Sequence, residues 1–265
     1  MIVRYESDGS IVMITQNDHA QLSGLFASHW GNDKFEKPRP YGSMVRAAMY
    51  HDRGWINYET SPQLNPETGK TPSYREVPND KAQLAAFEWA GDWLGSIDPY
   101  AGLMVARHRT GLWQGRYGVI AQPPAIQRGT LPPDIKIFIG RNEEKQKPIA
   151  DGFDAKELAT NYNLLQVWDL ISLYICSTET LKDDRIEPVP LSYSGKSAGM
   201  TLTPRNGRTI ALDPYPFDVP ELVTNLIFRR LTQNKFRDTA ELQSVYFRTA
   251  PQIMSFRLVP ASAAY

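Results

Sequence analysis

Five side chains able to hold a metal ion sit on stretches that otherwise read as apolar helix faces. At the 3.6-residue spacing, His19 recurs with Leu22 and Phe26, His51 with Met44, Ala47 and Ala48, and His108 with Ala101, Met104 and Val105. Asp169 follows Tyr162 and Leu165 and precedes Ser172, Leu173 and Cys176, so it projects a carboxylate from the most hydrophobic helical stretch of the chain. An ionised carboxylate buried alone costs several kcal/mol or is forced to protonate, so this one calls for a cation. Asp52, directly after His51, offers a second carboxylate beside the same imidazole. Imidazole nitrogens and carboxylate oxygens are the ligand set of zinc, manganese and iron. We therefore expect a divalent metal ion held by His19, His51, Asp52 and Asp169. His108 is expected next to it, as a further ligand or a catalytic group that steadies substrate.

Other polar residues divide between substrate handling and plain structure. Arg53 and Arg107 are candidate catalytic residues that would grip an anionic substrate, with Arg109 as a further candidate, because a guanidinium binds phosphate in a bidentate fork. His29 lies in a last helical turn before Gly31, where a cation complements the helix dipole, and reads as structural. Glu88 and Asp92 are one turn apart and would repel; a general acid/base pair is one reading, but a solvated face or a nearby arginine is favoured. Cys176 reads as a buried structural residue, and the tryptophans as core. Ser194-Gly195-Lys196-Ser197 looks like the end of a phosphate loop, but Pro190 stands where that loop needs glycine and no apolar strand feeds into it. Neither H-E-x-x-H nor G-x-S-x-G occurs, which removes zincin proteases and the usual serine esterases.

The elements that must position these groups are largely helical. Residues 1–14 read as a hairpin turning at Asp8-Gly9. Helices are expected over 17–30, 43–53, 80–96, 99–113 and 155–177, several with Asp at the N-cap. Residues 57–78 hold four prolines and read as a long loop; residues 115–150 read as proline-broken loop with IKIFIG as a strand. Beyond residue 185, short strands are expected over 199–203, 209–212 and 253–258, with an amphipathic helix over 219–232. The expected fold is mainly α: a helical core with an N-terminal β-hairpin over residues 1–184, and an α+β C-terminal part over residues 185–265 packed on it.

Composition narrows the partners. Lys plus Arg and Asp plus Glu both number 29 in 265 residues, so no global field favours nucleic acid or an anionic membrane. One cysteine cannot form an internal disulfide or a cysteine-based zinc site. No apolar run approaches a membrane span, and the opening MIVRYESDGS is too polar for a signal peptide. The expectation is a cytoplasmic protein that acts on a small molecule.

These residues carry a resemblance. Ala47-Ala48-Met49-Tyr50-His51-Asp52-Arg53-Gly54 resembles the signature helix of the HD superfamily of helical metal-dependent phosphohydrolases. The superfamily's order of a lone His, a His-Asp pair, a further His and a late Asp is similar to His19, His51-Asp52, His108 and Asp169. The resemblance implies an HD-like helical core and hydrolysis of a small phosphorylated or nucleotide-like substrate. Trp55 stands where many members carry a lysine, which also leaves open an iron-dependent oxygenase of HD type, or an HD-like sensor without turnover. More narrowly, YHDRGW, DPYAGLMVARH and NYNLLQVWDLISLY resemble an uncharacterised bacterial family of unknown function.

Overall fold

A computed structural model describes residues 1–113 and 131–263. The helices expected around the candidate ligands form from local signals. α1 (Gln16–His29) is capped by Thr15, whose hydroxyl accepts from the Asp18 amide at 2.8 Å, two residues before the expected cap. α2 (Tyr41–Tyr50) buries Met44, Ala47 and Ala48 and ends at His51. A 3-10 turn (Arg53–Trp55) and the short α3 (Ile56–Glu59) follow. α4 (Lys81–Ile97) and α7 (Ala155–Cys176) start at Asp80 and Asp154, whose carboxylates accept amides three residues on. α5 (Pro99–Trp113) begins with Pro in its first turn and Asp98 accepting from the Ala101 amide at 3.1 Å.

The remaining elements overturn the expected fold class. β1 (Ile2–Tyr5), β2 (Ile11–Ile14), β3 (Asp184–Pro190), β4 (Ser197–Pro204), β5 (Thr209–Asp213), β6 (Leu222–Leu231) and β7 (Gln252–Pro260) form one curled mixed sheet in the order β1-β2-β6-β7-β5-β4-β3. Only β5 and β7 run parallel. Helix accounts for 46% and strand for 20%, so the protein is not a mainly α, HD-like core with appendages. The hairpin at Gly9 (φ +82°) is not peripheral, because β2 pairs with β6 and enters the same sheet as the strands after residue 184. One apolar cluster likewise joins Ile14, Phe26, Trp30 and Trp168 to Leu212, Leu226 and Leu258.

Two elements differ from expectation for identifiable reasons. The helix expected over 219–232 is strand β6, in which Leu222, Thr224, Leu226 and Phe228 point inward and Val223, Asn225 and Ile227 outward. Apolar Val223 and Ile227 on the outer face, beside Leu222 and Leu226, imitate a helical stripe. The loop and IKIFIG strand expected within 115–150 are replaced, where the structure is described, by α6 (Pro133–Ala150); residues 114–130 lie outside the described residues. A strand would bury Ile137 with Ile135 and Ile139, whereas Ile137 is 64% exposed. Ile135, Phe138, Ile139 and Asn142 instead share the buried face of a helix. α8 (Thr239–Arg248) packs beside β6. Among the described residues, no helix is long and apolar enough to cross a membrane.

Glycine fixes the approach of α4 and α5. A Cβ on Gly102 would overlap the backbone of Gly95, so the helices touch there. Gly102→Ala is expected to cost about 1–3 kcal/mol through overpacking. Gly140→Ala, with open space around it in α6, is expected to be neutral or slightly stabilising. Denaturant unfolding of both variants checks this, and equal stabilities would contradict the close helix crossing.

Candidate metal centre

Four elements converge on one buried point. α1 supplies His19, the end of α2 supplies His51 and Asp52, α5 supplies His108 and α7 supplies Asp169, and all five are at most 6% exposed. α1 and α2 approach closely because Gly24 packs directly against Met49. Asp169 Oδ1 lies 3.1 Å from His19 Nε2 and 3.3 Å from His51 Nε2. Asp52 Oδ2 lies 3.4 Å and 3.7 Å from the same nitrogens, and the two Nε2 atoms are 3.3 Å apart.

The outer faces of both imidazoles are already committed. His51 Nδ1 is 2.8 Å from the Ala48 carbonyl, which only accepts, so Nδ1 carries the proton. Ser172 donates to the Asp169 carbonyl at 2.7 Å and therefore accepts from His19 Nδ1, 2.6 Å away. Both Nε2 atoms thus face inward, and as neutral imidazoles they present lone pairs to two carboxylates. Four acceptors meeting at such distances need protons or a cation between them. Bonds of about 2.0–2.2 Å to one ion place neighbouring ligand atoms roughly 2.8–3.6 Å apart, which covers four of these five separations, the 3.7 Å from Asp52 Oδ2 to His51 Nε2 falling just outside. The donor set therefore fits a divalent ion, and the carbonyl and hydroxyl behind each imidazole are the supports that metal-binding histidines use.

The electrostatics agree. Burial is the largest influence on His19 and lowers its pKa, yet the hydrogen bonds and charges of Asp169 and Asp52 outweigh it and lift the group to about 9. His51 is raised by the same balance. Burial works to raise both carboxyls, but the neighbouring imidazoles hold Asp52 and Asp169 below the usual carboxylate range. Two imidazoliums then offset two carboxylates, and one divalent ion replaces two protons without changing the local net charge. His108 differs: burial, helped by the His51 charge, pushes it down to about 4 and keeps it neutral at pH 7.

The chain matches the family described as "protein of unknown function (DUF3891)" over residues 1–233. The chain belongs to that family. All five converging residues fall inside the matched span. No curated protein and no solved structure matches the chain.

The remaining candidates are placed as follows. The ring of His108 packs edge-on against His51 with centroids 4.8 Å apart, and its nitrogen groups with ligand atoms of His51 and Asp52 within 4.8 Å. Arg53 reaches Asn17 at 3.5 Å and lies over Trp93, while Arg107 sits beside His108 in α5 with its charge acting on Tyr100. His29 pairs with Asp218 at 3.0 Å, away from the buried histidines. Glu88 and Asp92 are relieved by Arg141 and Lys145 from α6. Gln16 was not anticipated; its Nε2 donates to Asp52 Oδ2 at 2.9 Å, and its place one turn before His19 is the signal that could have found it. Buried Glu59 receives the Gln16 and Asn17 amides, and nothing in its short α3 announces this.

Ser172 gives a test of the supporting layer. Ser172→Ala is expected to weaken metal binding by about 10–100-fold, as loss of an outer-layer partner does elsewhere. Competition with a chelator measures it, and unchanged affinity would contradict the assigned orientation of His19.

Proposed function

We propose that the protein is a metal-dependent hydrolase acting on a small phosphorylated or nucleotide-like ester. The observation that carries this reading is that Asp52 Oδ2 and Asp169 Oδ1 each lie 3.1–3.7 Å from both His19 Nε2 and His51 Nε2, with both Nδ1 atoms engaged behind. The order of these residues, similar to that in HD hydrolases, supports the choice of chemistry; the architecture does not contribute to it. A zinc, manganese or iron ion in such a set polarises an ester oxygen and acidifies water toward neutral pH. Asp52 and Asp169 hold the charge of the centre, and Gln16 fixes the Asp52 carboxylate. Ala48 and Ser172 keep both imidazoles turned inward. His108, uncharged beside His51, can hydrogen-bond to negative charge that develops on the substrate.

The test is turnover of 4-nitrophenyl phosphate and bis(4-nitrophenyl) phosphate by protein loaded with zinc, manganese or iron. Hydrolysis that disappears in Asp52→Asn is expected. Fully loaded protein that hydrolyses neither ester would contradict the reading, and oxygen consumption by the iron form alone would select oxidation instead.

A further inference from the structure

We infer that Arg109, in its aromatic cage beside the candidate metal centre, is the anchor for an oxyanion of the substrate. This rests on the metal-centre reading above and assigns the substrate an anionic group bound by a residue outside the ligand set.

Arg109 follows His108 on α5, and the charges of Asp52 and Asp169 both act on it. Its guanidinium carbon lies 3.4 Å from the ring centroid of Phe87, 4.7 Å from that of Trp113 and 5.3 Å from that of Trp55. Trp55 belongs to the turn that continues directly from Asp52, its amide bonding the Asp52 carbonyl at 3.0 Å. Two walls of the cage thus come from segments that carry candidate ligands, Trp113 from α5 and Trp55 from the turn after Asp52, while Phe87 comes from α4.

The cage holds the group but does not satisfy it. Among the described residues, the buried Arg109 Nε makes no hydrogen bond, and the guanidinium makes one, a long 3.4 Å contact from Nη2 to Asn79 Oδ1. Among the described residues, no carboxylate lies within ion-pair distance of Arg109. Other helix arginines differ: Arg46 has Asp98, and Arg141 has Glu88. A guanidinium carries five donors in a fixed fork, and a buried cation is stabilised when those donors are met.

Charge counting points the same way. A divalent ion on two carboxylates is locally neutral. Arg109 then has, among the described residues, no carboxylate of its own within ion-pair distance to offset its charge. As a whole residue Arg109 is half-buried, although its Nε is itself enclosed. A phosphate or carboxylate oxygen pair supplies the missing acceptors and the missing charge together.

The experiment titrates inorganic phosphate, and separately acetate, into manganese-loaded protein by calorimetry, with metal content measured for every sample. Wild type is expected to bind at least one of the two, phosphate marking a phosphoryl substrate and acetate a carboxylate. Arg109→Gln is expected to keep its manganese and to lose about tenfold or more in that affinity, the range of a charge-assisted hydrogen bond. Arg109→Lys keeps the charge without the fork and is expected to lose about threefold or more; it decides the matter if the glutamine variant does not fold. Loaded wild type that binds neither anion, or variants that bind as wild type does, would overturn the inference and leave the metal centre standing. Wild type that holds no manganese would overturn both.

Discussion

Asp169→Ala is expected to abolish metal retention, whereas Cys176→Ser, two turns further along α7, is expected to leave it intact. Asp169 Oδ1 is the carboxylate oxygen nearest both inward nitrogens, at 3.1 Å and 3.3 Å. Its removal takes away a candidate ligand and half of the negative charge that would offset an ion. The loss should exceed the roughly 100-fold that an outer-layer change produces. Cys176 is buried and belongs to neither group of candidate metal-holding side chains, and burial raises its thiol well above the ordinary range, so it supplies no thiolate ligand. Because removing one member of a buried charged pair can itself cost about 3–5 kcal/mol, Asp169→Asn is the companion variant that keeps the shape. Metal content by mass spectrometry reads all three, and metal kept equally by Asp169→Ala and Cys176→Ser would show the ligand assignment to be wrong.

The second large effect is opposite pH dependence of the metal-free and metal-loaded proteins. Without metal, His19 titrates near 9 when folded against 6.5 unfolded. That stabilisation is fully present below about pH 6.5 and is lost as pH rises through 9, amounting to about 3 kcal/mol for a shift of this size. His51 contributes with the same sign. The lowered Asp52 and Asp169 contribute stability that is present above about pH 4 and is lost only as pH falls through their folded values. Metal-free protein should therefore be most stable between about pH 4 and 6.5 and weaken toward 9. A metal ion competes with the imidazole protons, so its affinity and its stabilisation grow over the same interval, reaching about 4 kcal/mol when free metal is 1,000 times the dissociation constant. Thermal unfolding at pH 6 and pH 9, with and without manganese, measures the divergence, and parallel curves would contradict it.

The candidate ligands stood out in the sequence because each is a polar anomaly on an apolar helical face, and α1, α2, α5 and α7 announce themselves by stripes and caps. That they meet at one point depends on close packing at Gly24 and on the crossing of α2 with α5 and α7, which spacing alone does not encode. The sheet was the least legible part. β1 and β2 read as an isolated hairpin because their partner, β6, is distant in the chain and carries apolar residues on both faces. Arg109 stood among three arginines with nothing local to separate them, since the difference lies in Phe87 and Trp55, brought from other elements.

The most direct measurement is anomalous diffraction from crystals grown with one equivalent of manganese or zinc. A single peak is expected within about 2.0–2.2 Å of His19 Nε2, His51 Nε2 and oxygens of Asp52 and Asp169. A fully loaded protein whose peak lies elsewhere, at His29 and Asp218 for example, or whose four buried groups enclose no peak, would contradict the account.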